Sequence, residues 1–254
     1  MTEINDVMTD VNSDIGVGLD VGTMFIVGAK RANKKIIFSK IRDAFIDLPI
    51  DTKRMLRISN TDYVELDGKL LVIGDKALDT ANIFNREARR PLSQGIIAAG
   101  EIDAQRILSL MMKQALGDPH KENEKCCYSI PAPSIDMQGS DVTYHRSILS
   151  KILQELGYAP DPINEALAIV FSECVKENFS GLSISYGCGM TNVCLAYNAM
   201  SALEFSLCRG GDWIDNCAAK AVNTTAAKIC AIKENGIDLF GLKMREEEGI
   251  RSKV

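Results

Sequence analysis

Two glycine-bearing turns hold the residues best suited to chemistry. In Gly18-Leu-Asp20-Val-Gly22-Thr23-Met24 a carboxylate and a hydroxyl stand beside glycine. In Ser185-Tyr-Gly187-Cys188-Gly189-Met190-Thr191 two glycines are flanked by hydroxyls. Glycine lets backbone approach a ligand closely, and successive N–H groups in such turns form a cradle for anions. Two facing loops of this kind could clamp a polyphosphate from opposite sides, although either turn alone reads more readily as a plain hairpin tip. A third candidate is Glu165, set in the apolar stretch Pro162-Ile-Asn-Glu-Ala-Leu-Ala-Ile-Val170. Desolvation there would raise its pKa and suit a base; the alternative is a first-turn glutamate facing a helix dipole.

The elements that must position these residues follow from hydrophobic period and turn chemistry. Ile15–Leu19, Phe25–Ala29 and Lys35–Phe38 are short apolar segments separated by turns, which predicts a β-meander. Asp67-Gly68 between Tyr63–Leu66 and Lys69–Ile73 predicts a two-residue hairpin, and residues 47–90 read as a smaller inserted lobe. Helices are expected over 101–116, where Ile102, Ile107, Leu108, Met111, Met112 and Ala115 form one stripe, and over 144–157. The methionine pair reads as core filler. Cys127–Ile130 is expected as a buried strand ending at Pro131-Ala-Pro133, and a helix is expected from about 163 to 177. Strands at 182–184, 193–197 and 202–207 repeat the opening theme. A duplicated α/β domain is the economical reading.

The chain has 254 residues, 46% of them hydrophobic, and a formal net charge of -5. This is globular composition, and it excludes intrinsic disorder, collagen and short disulfide scaffolds. No basic face is implied by the charge balance or by a Lys/Arg block, so no nucleic-acid partner is expected. No apolar run approaches the roughly 20 residues of a membrane span. The acidic start, residues 1–14, reads as a flexible tail rather than a secretory signal. Eight cysteines without a C-x-x-C pair suit small thiols in a reducing cytoplasm better than zinc ligands. Adjacent Cys126 and Cys127 read as inward and outward positions of a strand.

An ordered set of motifs resembles the actin-like ATPases: Gly18–Thr23, Arg90-Pro-Leu-Ser-Gln-Gly95, Asn164–Ala168, Ser185–Thr191, Arg209-Gly-Gly-Asp-Trp-Ile-Asp215 and Ala231-Ile-Lys-Glu234. They are most similar to the bacterial filament branch that includes MreB and MamK. The resemblance implies an actin-like, ribonuclease H-like duplicated fold with a nucleotide cleft between its halves, binding ATP or ADP with Mg²⁺. It implies phosphate contacts from Asp20, Gly22, Thr23 and Met24 and from Gly187, Cys188, Gly189, Met190 and Thr191. It further implies that Gly210 and Gly211 pass close to the nucleotide, that Lys233 and Glu234 lie against the adenosine, and that Glu165 orients the attacking water. By residue type alone, Lys233-Glu234 reads as an exposed helical turn.

Two departures matter. The family's second phosphate loop usually begins with an aspartate that holds the hydrated Mg²⁺, as Asp20 would in the first, and here it is Ser185; a hydroxyl can bond a metal-bound water without adding charge. Slow hydrolysis is therefore expected. The expected layout is a tail at 1–14, a first domain at 15–172 and the start of a second at 173–254, read as incomplete. The resemblance implies a cytoplasmic ATPase that self-associates into filaments, with unidentified adaptor proteins. A non-hydrolysing nucleotide-binding scaffold and a chaperone or metabolite-kinase relative are the alternatives.

Overall fold

A computed structural model of the chain describes residues 16–32, 35–137 and 142–236; the expected tail at 1–14 and everything beyond residue 236 lie outside them. The described residues form two compact units. The first takes those up to 93, then 97–130 and 142–164; the second takes 94–96, 131–137 and 165–236.

The first unit opens with the expected meander: β1 (Val17–Val21), β2 (Phe25–Ala32) and β3 (Lys35–Arg42), paired antiparallel in sequence. In β1, Val17, Leu19 and Val21 are buried while Asp20 faces solvent, the alternation a half-buried strand demands. The small lobe follows, with β4 (Phe45–Pro49), α1 (Lys53–Ile58), β5 (Val64–Leu66), β6 (Lys69–Ile73) and α2 (Asp75–Ile83). Its own sheet runs β4-β6-β5, and Ile46, Leu48, Leu56, Leu70, Val72 and Ala77 form its own core. Asp67 and Gly68 take φ angles of 49° and 76°, the left-handed pair a two-residue hairpin requires.

After the two-residue strands β7 (Leu92–Ser93) and β8 (Ile96–Ile97), α3 (Ala104–Leu116), β9 (Glu124–Ile130), α4 (Val142–Glu155) and β10 (Tyr158–Asn164) complete the unit around a sheet ordered β10-β9-β1-β2-β3. Ile107, Leu108, Met111 and Met112 of α3 and Leu149, Ile152 and Leu153 of α4 are fully buried in one cluster. The apolar stripe on α3 is therefore core, as expected, except at its first member. Ile102 precedes the helix and is 97% exposed. Gly28 marks where α3 meets the sheet: a Cβ there would stand 2.5 Å from the carbonyl oxygen of Ala115, so only glycine permits the approach. Cys126 is buried and Cys127 exposed, as adjacent positions of β9 require.

Strand β10 was not apparent in the sequence because Pro160 and Pro162 argue against a strand. It lies at the sheet edge and pairs only with β9, and two prolines spaced by two turn their missing N–H groups to the same side, away from that partner.

The second unit begins with α5 (Glu165–Glu173), shorter than the helix expected over 163–177, and continues through β11 (Gly181–Tyr186), β12 (Thr191–Tyr197), β13 (Met200–Leu207), α6 (Gly211–Val222) and α7 (Ala226–Glu234). The antiparallel meander β11-β12-β13 repeats β1-β2-β3. α5 packs on one face, where Ser183 Oγ donates to the carbonyl of Ala166 at 2.6 Å. On the other face Leu182, Ile184, Tyr186 and Leu195 are exposed. Within the described residues no helix is long and apolar enough to cross a membrane.

Leu108→Ala is expected to cost about 2–5 kcal/mol in urea unfolding, because a fully packed side chain leaves a cavity. Ile102→Ala, its partner on the same sequence stripe, should change stability by no more than about 0.5 kcal/mol.

Candidate functional site

In the first unit, Asp20, Gly22, Thr23 and Met24 gather on the turn between β1 and β2. The turn is closed by Gly22 N–H donating to Phe25 O at 3.0 Å, and it is held from outside by Asp43 N–H donating to Met24 O at 2.9 Å. Ser129 on β9 donates its hydroxyl to Asp20 Oδ1 at 2.5 Å and accepts from Val21 N–H at 3.2 Å. Desolvation by the surrounding protein raises the Asp20 carboxyl, and the Ser129 hydrogen bond partly offsets it. Thr23 is buried, so its hydroxyl sits within the turn rather than in bulk water.

In the second unit, Glu165 begins α5 and is held at both oxygens. Oε1 accepts from Ser185 Oγ on β11, and Oε2 accepts from Asn192 Nδ2 on β12 at 2.9 Å. Asn192 is completely buried, and its Oδ1 accepts from Ala132 N–H at 3.0 Å. A buried amide with its oxygen on a backbone donor must aim its nitrogen outward, so Asn192 is locked as a donor to the carboxylate. Ser185, expected to face a metal-bound water, has its hydroxyl on Glu165.

Gly187, Cys188, Gly189, Met190 and Thr191 form the turn between β11 and β12. Gly187 N–H donates to Met190 O at 2.9 Å, and Thr191 Oγ1 donates to Arg209 O at 2.9 Å. The start of α6 is stitched to this turn: Gly211 N–H reaches Gly187 O at 3.0 Å, and Asp212 N–H reaches Cys188 O at 2.9 Å. Cys188 Sγ donates to Asp212 Oδ1 at 3.0 Å. A Cβ on Gly210 would stand 2.5 Å from both of those carbonyl oxygens, which explains glycine there without a ligand. The first donors of α6 are therefore spent on the turn. Gly189 and Met190 are buried, and their N–H groups have no acceptor among the described backbone groups.

Lys233 on α7 returns to the same place. Its ammonium lies 2.9 Å from Asp215 Oδ1 and donates to Gly211 O at 3.2 Å. Asp215 is buried, which raises its pKa, while the Lys233 hydrogen bond and charge oppose that shift. Lys233 is thus part of an internal ion pair, whereas Glu234 is exposed.

Four residues with a part in these arrangements escaped sequence reasoning: Ser129, Asn192, Asp215 as a buried ion-pair partner, and Asp43. Asn192 carried a usable signal, as a lone amide in the apolar run Thr191–Leu195. Asp43 is wholly buried at the junction of β3 and β4. Its carboxyl is pushed up to about 8 by desolvation, against which Arg90 and the Leu92 backbone N–H act.

The unspent buried N–H groups of Gly189 and Met190 suit the oxygens of a phosphate chain. Among the described residues no three His, Cys, Asp or Glu side chains gather where they could hold a metal ion.

The family model described as Volactin matches residues 15–252. No curated protein matches the chain. Among solved structures it is similar to a MamK double helical filament, at 18% identity and a TM-score of 0.60 over 86% of this chain and 64% of that one. MreB5 of Spiroplasma citri bound to ADP is 18% identical, with a TM-score of 0.56 over 82% of this chain and 56% of that one. The AMPPNP-bound form is 15% identical, with a TM-score of 0.62 over 90% of this chain and 64% of that one. The fold is therefore the actin-like α/β fold that the motif order pointed to, and the chain spans less than two thirds of each of these proteins.

Two substitutions test the electrostatics. Asp43 has its pKa raised on folding, so its contribution to stability is fully present below about 4 and is lost as pH rises through about 8. Asp43→Asn should flatten that decline, gaining on the order of a few kcal/mol at pH 9 relative to pH 4 in denaturant titrations. Lys233→Met leaves Asp215 buried and uncompensated and should cost about 3–5 kcal/mol, with Lys233→Met/Asp215→Asn recovering much of it.

Proposed function

The chain belongs to the Volactin family, and on that premise we propose that it is an ATP-binding, actin-like protein that self-associates into filaments in the cytoplasm and hydrolyses ATP slowly. The observation that carries the reading is the fixed carboxylate of Glu165, held by Ser185 and Asn192 where β11 and β12 lead into the Gly187–Met190 turn. A carboxylate immobilised beside a turn with unspent N–H groups can orient a water against a bound phosphate chain. The solved proteins of like fold support it: one is a MamK filament, and MreB5 was crystallised with ADP and with AMPPNP.

In this reading ATP would be the substrate, and Mg²⁺, if bound with it, would supply neutralisation of phosphate charge. Gly189 and Met190 would bind the phosphates through their unspent N–H groups, in a turn shaped by Gly187, Cys188 and Thr191, and Asp20, Gly22, Thr23 and Met24 of the first unit's turn are proposed as further phosphate contacts. Asp20 would be the residue to hold a hydrated Mg²⁺, and Glu165 would orient the attacking water. Gly210 and Gly211 act one step back by letting α6 brace the turn. Lys233 acts the same way through its contact with Gly211, and Glu234 remains the candidate for the nucleoside. Adaptor proteins would join at the filament surface.

The non-hydrolysing scaffold is favoured by one specific observation. Ser185 stands where the resemblance expects a metal-holding aspartate, and its hydroxyl is spent on Glu165 Oε1.

Nucleotide affinity, phosphate release and pelleting separate the readings. The proposal expects ATP binding, Mg²⁺-dependent pelleting and slow phosphate release, with release falling about 100-fold in Glu165→Gln while nucleotide affinity is kept. Pelleting with ATP but no phosphate release selects the scaffold. A chain that binds ATP yet stays monomeric well into the micromolar range overturns the filament claim.

A further inference from the structure

Among the described residues, exposed large apolar side chains gather on the free edge of β3 and on one face of the second unit's sheet. At the β3 edge Ile36, Ile37 and Phe38 are exposed. They lie between Asp20 and Asp43, in a stretch with no acidic residue and six cations, Lys30, Arg31, Lys34, Lys35, Lys40 and Arg42. That run corrects the expectation that no Lys/Arg block would give a basic face, and its like charge opposes a second copy there.

The sheet face is different in kind. Ser183 bonds Ala166, and Cys194 and Ala196 join the core beneath α5. Alternation therefore sends Leu182, Ile184 and Tyr186 of β11 and Val193, Leu195 and Tyr197 of β12 to the opposite side. Register carries the pattern onto β13, where Leu203 pairs with Leu195 and Phe205 with Val193. Leu182, Leu195 and Leu203 form a row across the three strands, 63%, 44% and 54% exposed. Tyr186 and Tyr197 stand at opposite ends of the sheet and are exposed. Glu204 is the only charged residue in these strands, and it pairs with Cys194, so it lies on the α5 side.

Area and charge together select the occupant. At these exposures the face presents on the order of 800 Å² of mostly apolar surface, which is about what one partner gives to a standard stable interface. The largest patch on an ordinary monomer is about 300–600 Å². A two-fold contact sets a patch against itself, which a charged patch resists and an uncharged one accepts. Two such faces pack about 10 Å apart, with leucines interdigitated in the middle and tyrosine hydroxyls left to water at the rim. An anionic lipid surface finds no Lys or Arg on this face to hold it.

We infer that two copies of this chain associate through the open faces of their β11-β12-β13 sheets, about a two-fold axis near Leu195, each burying its row Leu182, Leu195 and Leu203 against the other. The contact is closed, so it pairs chains without extending them, and it needs no nucleotide.

Sedimentation velocity on the full chain without nucleotide, combined with hydroxyl-radical labelling of Tyr197 and Met200, tests this. Dimers in the micromolar range are expected, with labelling falling about fivefold as they form because the core of such a patch excludes water. Leu195→Asp should weaken the dimer about 100-fold, whereas Leu195→Met, which keeps the face apolar, should dimerise as the parent does. The labelling is read on the unaltered chain, so the result does not rest on a variant folding well. A chain that stays monomeric at high micromolar concentration overturns the proposal: free labelling then shows an open face, and protection shows that another stretch of the same polypeptide covers it. Dimers that persist in Leu195→Asp with Tyr197 freely labelled place the contact elsewhere and also overturn it. So does flotation with phosphatidylglycerol vesicles that Leu195→Asp abolishes, because the face would then belong to lipid. Nucleotide and pelleting do not enter, so this outcome is separate from that of the filament reading.

Discussion

The second unit is organised by a contact between two stretches of backbone at near-minimal separation. The turn after β11 and the first residues of α6 share hydrogen bonds from Gly211 and Asp212 to the carbonyls of Gly187 and Cys188, and the geometry has no room for a side chain at Gly210. Thr191 ties the other end of the turn to Arg209, and Lys233 caps the arrangement from α7 by holding Gly211 and Asp215 together. These bonds direct the carbonyls of the turn toward α6, while the N–H groups of Gly189 and Met190 remain unspent. A loop fixed in this way holds its donors in place without reorganising.

Carboxylates in the molecule show how environment separates residues of one type. Asp20 faces solvent with a serine hydroxyl on one oxygen. Glu165 is held at both oxygens by neutral donors. Asp215 is buried against an ammonium, and Asp43 is buried with only partial compensation, so its proton is retained to about pH 8. In the first two a neutral donor fixes the carboxylate in place, and for Asp20 it partly offsets the desolvation that raises its pKa. The other two are structural, at the root of α6 and at the junction between the main sheet and the small lobe.

Much of this was legible before the structure. The two turns, the Asp67-Gly68 hairpin, the stripes of α3 and α4 and the repeated meander follow from period and turn chemistry, which are local. Three failures have local reasons too. The prolines of β10 concealed a strand that only an edge position tolerates, and Ile102 fitted a helical stripe but fell before the helix began. The basic run from Lys30 to Arg42 disappeared in a whole-chain charge sum because acidic residues elsewhere outnumber it.

What the amino-acid sequence determined by itself is the kind of chain and the positions of its candidate loops, since glycine placement, alternation and turn residues act over a few neighbours. The partners of the candidate side chains were decided by tertiary structure alone. Ser129 meets Asp20 across 109 positions, Asn192 meets Glu165 across 27, and Lys233 meets Gly211 across 22. A hydrogen bond of that kind exists only after sheets and helices have brought distant residues within 3 Å or so, and no local pattern encodes which two will meet.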